Sequence, residues 1–261
     1  MLTRRGAQPA DELAPLCAAG ARYHGFDLDA DPVDVSWLPH NAIVVVSTPP
    51  AREPGRAGER ERRLVQALAD PARVVYLSST GVYPRGDGGL TDEQVAAAPA
   101  AAHGAARLAA ETAVLEAAAA RELGAVSLRI AGIYGPGRGV VARMRAGNYR
   151  IIGDGSGYVS RIYVHDLVSA IIAAATIEPL PHSLVNVADD EPCPSIDYAR
   201  AVAARLSLPP PPLVPVQDVP PMVAALVGSN RRVDNRRLID DFGVRLRYPS
   251  WRDSLDELAR G

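Results

Sequence analysis

The chain has 261 residues, of which 48% are hydrophobic, 22% charged and 5% aromatic, with a formal net charge of −2. That composition belongs to a globular chain with a sizeable core and excludes disordered and fibrous classes. The near-balanced charge excludes the clustered basic face that nucleic-acid binding needs. All 28 basic residues are Arg, so neither a lysine Schiff base nor any other lysine chemistry is available. Cys17 and Cys193 are the only cysteines. Two isolated thiols make neither a disulfide framework nor a zinc-ligand set, and both read as small buried hydrophobes in a reducing cytoplasm. No His, Cys or acidic cluster has metal-ligand spacing. The longest stretch of low polarity, Leu167 to Ala175, is far below the roughly 20 residues of a membrane span, and no apolar signal region follows the N-terminal charges. A cytoplasmic protein with no membrane or nucleic-acid partner is expected.

In chain order, Asp11 to Ala19 predicts a short helix, with Asp11 as N-cap, Leu13, Leu16 and Cys17 on one face, and Gly20 ending it. Arg22 to Phe26 predicts a short strand. Ile43 to Ser47 is a continuous β-branched run, as in a strand buried on both faces. An Arg/Glu-rich helix follows over about residues 53–69, with Leu64, Val65 and Leu68 facing inward. Val74 to Ser78 is a second buried strand, and Ser79 to Pro99 a Gly/Pro-rich loop. A helix over His103 to Leu123 is predicted to turn Leu108, Thr112, Leu115 and Ala119 inward, and Val126 to Ile130 is a third buried strand. Strands separated by helices imply right-handed crossovers and a parallel sheet. Beyond residue 135 the pattern predicts helices at 139–147, 166–176 and 195–206 and strands at 150–152 and 184–188. A proline-dense extended stretch (209–221) and a segment with two short helices (231–260) complete it. The fold class is α/β, a Rossmann-like doubly wound parallel sheet in residues 1–135. Residues 136–261 are expected to return to that sheet and form a small substrate lobe.

Several stretches in order carry a family resemblance. They are Val74-Val-Tyr-Leu-Ser-Ser-Thr-Gly-Val-Tyr-Pro84, Leu128-Arg-Ile-Ala-Gly-Ile-Tyr-Gly-Pro-Gly-Arg138, Gly153-Asp-Gly-Ser-Gly157 with Arg161-Ile-Tyr-Val-His-Asp166, Asn186-Val-Ala-Asp-Asp-Glu-Pro192, and Asn230-Arg-Arg-Val-Asp-Asn-Arg-Arg-Leu238 with Tyr248-Pro-Ser-Trp251. Over residues 40–255 the chain resembles the extended or atypical branch of the short-chain dehydrogenases/reductases, the NAD-dependent epimerase/dehydratase type. The resemblance implies an NAD(P) cofactor, a small hydroxy, keto or sugar-type substrate, and hydride transfer at the nicotinamide. A homodimer is compatible with it. It places Ser79 and Thr80 at a strand end as substrate-orienting hydroxyls, with Tyr83 beside them. His103 and Arg107 stand at the place of the family's Tyr-x-x-x-Lys pair, at the same i, i+4 spacing. Of the two, only imidazole can exchange a proton near neutrality. Thr3, Arg4 and Arg5 match the end of the family's second strand, where such side chains reach the adenosine ribose and a 2′-phosphate, slightly favouring NADP. Asp27 matches the acid beside the adenine, and Ser47, Ala131, Gly132, Ile133 and Tyr134 line the implied cofactor path.

One departure is large. The opening strand and its G-x-x-G-x-x-G turn, which present a helix N-terminus to the pyrophosphate, have no counterpart in this sequence. A misassigned start or truncated gene, and a natural cofactor-free derivative, both account for this. Residues 1–30 are then expected to re-pair across the gap or to be poorly held; a well-ordered sheet with Ile43–Ser47 at its edge would resolve the question. The alternatives to an active enzyme are a non-catalytic nucleotide-sensing or interaction protein and an inactive truncated gene product. His165-Asp166 reads as a helix cap that braces the sheet, and Arg231-Arg232 and Arg236-Arg237 as a solvated or ion-paired face.

Overall fold

The computed structural model describes residues 2–4, 14–30, 32–51, 56–220 and 229–260. In chain order the strands are β1 (Leu2–Arg4), β2 (Tyr23–Gly25), β3 (Ala42–Val46), β4 (Pro71–Ser79), β5 (Leu90–Thr91), β6 (Ala125–Ile130), β7 (Gly132–Tyr134), β8 (Ile151–Ile152), β9 (Tyr158–Val159), β10 (Arg161–Tyr163), β11 (Leu184–Val187), β12 (Cys193–Pro194), β13 (Leu213–Val214) and β14 (Arg232–Val233). The helices are α1 (Ala14–Ala18), α2 (Glu59–Ala67), α3 (Ala102–Ala119), α4 (Val140–Arg145), α5 (Val164–Thr176) and α6 (Ser195–Arg205), with a closing helix at Leu255–Arg260.

The centre is a four-stranded sheet in the order β11-β6-β4-β3, parallel throughout. Its two faces divide along the strand alternation. Val74 and Tyr76 of β4 face α2 and α3, packing with Leu64, Val65, Ala110, Val114 and Ala117. Val75 of β4 and Val126 and Leu128 of β6 face α5, packing with Leu167, Ala170 and Ala174. Strand β6 is buried at every position, as its unbroken pattern requires of a central parallel strand. A separate aromatic cluster holds the C-terminal half together. Trp251, fully buried, meets Tyr198 edge-on at 5.2 Å, and Tyr163 lies 4.2 Å from Tyr248.

Re-pairing across the gap does not occur among the described residues. Strand β1 pairs with β2 in a separate two-stranded unit. Among the described residues β3 pairs only with β4, which makes it the edge. Val45 stands in register with Val75 on the α5 side, yet Ile43 and Val45 are 45% and 42% exposed. A groove of about 330 Å³ runs beside the strand, closed on its far side by Phe26, Trp37 and Leu38.

Several local expectations need correction. Helix α3 does not bury Leu108, Thr112, Leu115 and Ala119. Thr112 and Ala119 are exposed, and the buried face is Ala110, Glu111, Ala113, Val114, Ala117 and Ala118. Alanines let the helix approach the sheet closely, and the buried Glu111 has an Arg partner inside. Helix α1 spans only Ala14–Ala18, too short to carry an apolar stripe. Leu16 is exposed and Cys17 only half-buried, whereas Cys193 is buried; Asp11 and Leu13 lie outside the described residues. Asp166 does not cap α5. It sits fully buried in the first turn and accepts from the Arg247 and Tyr248 N–H groups at 2.7 and 2.9 Å, tying the C-terminal segment to the helix. The terminal segment holds β14, a π-helical turn at Arg237–Asp241 and a 3-10 turn at Trp251–Ser254 before its helix.

Candidate active site

The carboxyl ends of β4 and β6 open onto a cavity of about 280 Å³. That is where ligands bind in open parallel sheets. Strand β4 ends at Ser79, whose Oγ accepts from the Gly81 N–H at 3.1 Å and caps the turn Thr80–Val82. Ser79 and Thr80 both line the cavity, together with His103 from the first turn of α3 and Ala131 and Gly132 from the start of β7. The turn and the helix are pressed together at Gly104. A Cβ there would lie 2.4 Å from the Gly81 carbonyl oxygen, so only glycine admits this approach.

Tyr83 is 1% exposed and borders the cavity, but its hydroxyl donates to Asn186 Oδ1 at 2.8 Å. Burial raises its phenol above the ordinary value. Its ring lies under the Arg129 guanidinium, 4.7 Å away, and Arg129 is paired with Glu111 at 2.6 Å. Asn186 is held in turn by its Nδ2, which donates to the Thr91 and Asp234 carbonyls, and by Glu93 Oε1, which accepts from its backbone N–H at 2.6 Å. A buried polar network thus fixes the wall of the cavity.

The remaining sequence candidates lie elsewhere. Arg107 is turned beneath the sheet end, donating to the Thr48 and Leu77 carbonyls and to the Tyr76 hydroxyl at 3.3, 3.0 and 3.3 Å. Tyr134 is buried in the aromatic cluster against Tyr163 and Tyr198, its phenol pushed up by burial. Ile133 packs beside α5. Ser47 lines the groove along β3. Asp27 closes a turn by accepting from the Asp29 N–H at 3.0 Å. Thr3 and Arg4 lie in β1, opposite His24 and Gly25; Arg5 lies outside the described residues.

Sequence reading missed Arg85, Ser160 and Arg231 in the cavity wall. Arg231 is only 9% exposed, so the solvated or ion-paired reading fails for it. Arg236 and Arg237 do meet Asp234 and Glu93, at 2.7 and 3.7 Å, and Arg232 donates to the Gly88 carbonyl at 2.6 Å. The signal for Arg231 was the Asn-Arg-Arg run itself, but its acceptors are carbonyls at residues 83 and 84, which no local pattern links to it.

A parallel α/β sheet with a hydroxyl-bearing strand end above a cavity is the arrangement expected of the short-chain dehydrogenase/reductase class. The profile of the NAD dependent epimerase/dehydratase family matches residues 58–188, and the chain belongs to that family. A solved structure of a functionally unknown conserved protein from Silicibacter pomeroyi DSS is 31% identical, covering 99% of this chain and 88% of that one with a TM-score of 0.78. The human epimerase family protein SDR39U1 (isoform2), solved with NADPH, is 19% identical at a TM-score of 0.73, covering 95% of this chain and 94% of that one. MoeE5, solved with UDP-glucose and NAD, is 22% identical at a TM-score of 0.75, covering 92% and 84%. The 3-diazoavenalumate denitrifying reductase of a Streptomyces species is 31% identical over 147 residues, 52% of this chain and 48% of the reductase. The chain therefore spans about half the length of that curated relative. No helix among the described residues is long and apolar enough to cross a membrane.

Proposed function

We propose that this protein is an NAD(P)-dependent oxidoreductase or epimerase-like enzyme acting on a small hydroxy, keto or sugar-type compound. The observation that carries this is the cavity at the β4 and β6 ends, where Ser79, Thr80, His103 and Gly132 converge. Family membership and the dinucleotides held by SDR39U1 and MoeE5 support it. In this reading Ser79 and Thr80 orient a substrate carbonyl or hydroxyl, His103 exchanges the proton, and residues 136–261 form the substrate lobe. A bound nicotinamide would supply or take the hydride.

The residues present fit the two ends of such a cofactor unequally. Ala131 and Gly132, which line the cavity, put no bulky side chain in the way of a ring there. For the pyrophosphate, the sequence holds no G-x-x-G-x-x-G turn, and the strand such a turn would follow is not among the described residues. Dinucleotide binding is accordingly the deciding test. NADPH at a hundredfold its Kd is expected to stabilise the protein by about 2.7 kcal/mol, a Tm rise of about 5–11 °C. NADH is expected to do the same at higher concentration, on the resemblance of Thr3-Arg4-Arg5 to the family segment that reaches a 2′-phosphate. The absence of any shift with either dinucleotide overturns the reading.

Ser79→Ala is expected to lower kcat by about a hundredfold, the scale of losing one orienting donor, while the lost cap costs about 1 kcal/mol in urea unfolding. Unchanged turnover would remove Ser79 from the chemistry. A second reading, a non-catalytic dinucleotide sensor, is favoured by one observation: Arg107 is committed to backbone carbonyls and does not line the cavity with His103. Dinucleotide binding with no turnover of any carbonyl or hydroxyl substrate would select it.

A further inference from the structure

We infer that Arg231, assisted by Arg85, forms an oxyanion-binding subsite in the cavity, so that the substrate carries a carboxylate or phosphate. This deepens the proposed function and rests on reading the cavity as the substrate site.

The first argument is charge. The chain as a whole has slightly more acidic than basic residues, 30 against 28. The described cavity wall carries two arginines and a histidine, Arg85, Arg231 and His103, and no Asp or Glu. A cleft lined by one sign of charge concentrates ligands of the other.

The second argument is the state of Arg231. It is nine-tenths buried, and burial lowers its pKa from the ordinary value. Buried guanidinium groups are normally paired with an anion, because desolvating an unpaired charge costs several kcal/mol. Arg129 follows that rule through Glu111. Arg231 has no carboxylate within ion-pair distance among the described residues. Its Nη1 donates to the Tyr83 carbonyl at 2.9 Å and to the Pro84 carbonyl. Those bonds aim and hold the group but leave its charge unneutralised. Its remaining N–H donors suit the bidentate geometry of a carboxylate or phosphate.

The third argument is rigidity. The Gly86 N–H donates to the Ser229 carbonyl and the Gly88 N–H to the Asn230 carbonyl, both at 2.9 Å, while the Arg231 N–H donates to the Tyr158 carbonyl at 3.2 Å. A Cβ on Gly86 would lie 2.3 Å from the Asn230 oxygen and 2.6 Å from Arg231 Cγ, so the close clasp needs glycine there. A fixed cation beside the strand-end hydroxyls is a preorganised partner for an anionic group, which cuts the ordering cost of binding.

The test is calorimetric titration of the whole chain with benzoate, phenyl phosphate and neutral benzamide at constant ionic strength. At least one anion is expected to bind about tenfold or more tightly than benzamide, and the better of the two distinguishes a carboxylate from a phosphate substrate. Arg231→Gln is expected to bring anion and amide within about twofold, Arg231→Lys to keep part of the preference, and Arg85→Gln to weaken the anion a few-fold. Arg85 is exposed, so its variant tests the site even where Arg231→Gln fails to fold. Benzamide binding as tightly as both anions, no anion binding at millimolar concentration, or a preference unchanged by both Arg231→Gln and Arg85→Gln would overturn the inference. NADPH binding is measured on the same samples. An anion preference without dinucleotide binding keeps this subsite and removes the proposed function; dinucleotide binding without anion preference does the reverse.

Discussion

Glu111→Ala is expected to cost about 3–5 kcal/mol of stability, the range for stripping one partner from a buried ion pair. Glu111 and Arg129 are 2% and 4% exposed. Arg129 Nη2 donates to Glu111 Oε1 at 2.6 Å, its Nε reaches both carboxylate oxygens at 3.2 Å, and the Ser127 hydroxyl donates to Oε2 at 2.9 Å. Without the carboxylate a desolvated guanidinium is left between α3 and β6, stacked on Tyr83. For a chain of this size the loss corresponds to a Tm decrease of about 6–20 °C. The double variant Glu111→Leu/Arg129→Met is expected to recover most of it, since an apolar pair of similar volume needs no desolvation. Urea unfolding of the single and double variants checks both statements. A loss below about 1 kcal/mol in the single variant would show that the pair is not sealed from water.

Asp189→Asn is expected to act in the opposite direction, and only above about pH 4. Asp189 is 1% exposed, and its carboxylate has no well-formed hydrogen bond, only a weak approach from the Glu191 backbone N–H. Burial pushes its pKa up from 3.8 to about 8, against a partial pull downward from the nearby Arg161. The folded protein therefore retains a proton on this group between about pH 4 and 8 that the unfolded chain has lost. Stability contributed here is fully present below the unfolded value and falls as pH rises through the folded one. The shift of about four units corresponds to at most about 5 kcal/mol at 1.36 kcal/mol per unit. Wild type and Asp189→Asn are expected to match at pH 4, with the variant gaining progressively up to about pH 8 and no further beyond it. A stability difference that stays flat between those limits would show that Asp189 ionises normally.

What the sequence displayed and what it hid follow from how far each signal reaches. Strands β4 and β6 were legible because β-branched runs report burial on both faces, and the inward residues of α2, Leu64, Val65 and Leu68, stood out against Arg and Glu; the same kind of run located β3 but misjudged its burial, because Ile43 and Val45 lie exposed at the sheet edge. Helix α3 was located but turned wrongly. In an alanine-rich helix the contrast between faces is small, and the residue that decides the rotation, Glu111, looks like a surface acid until Arg129 is seen opposite it. The strand-end hydroxyls Ser79 and Thr80 were visible from the run that carries them. Arg231 was not, because its meaning depends on a loop almost a hundred and fifty positions earlier. The seam between β2 and β3 was read from what the sequence leaves out, and there the fold agrees with the pattern.

That seam has a consequence for the handling of the protein. Edge strands template the addition of further strands unless they are short, charged, kinked or covered. Strand β3 carries only Ala, Ile and Val, with neither the lysine nor the proline that normally discourages such pairing. Colloidal behaviour of the protein in concentrated solution should thus be governed by these five residues, and a single Val45→Lys exchange would be the most economical way to keep it dispersed.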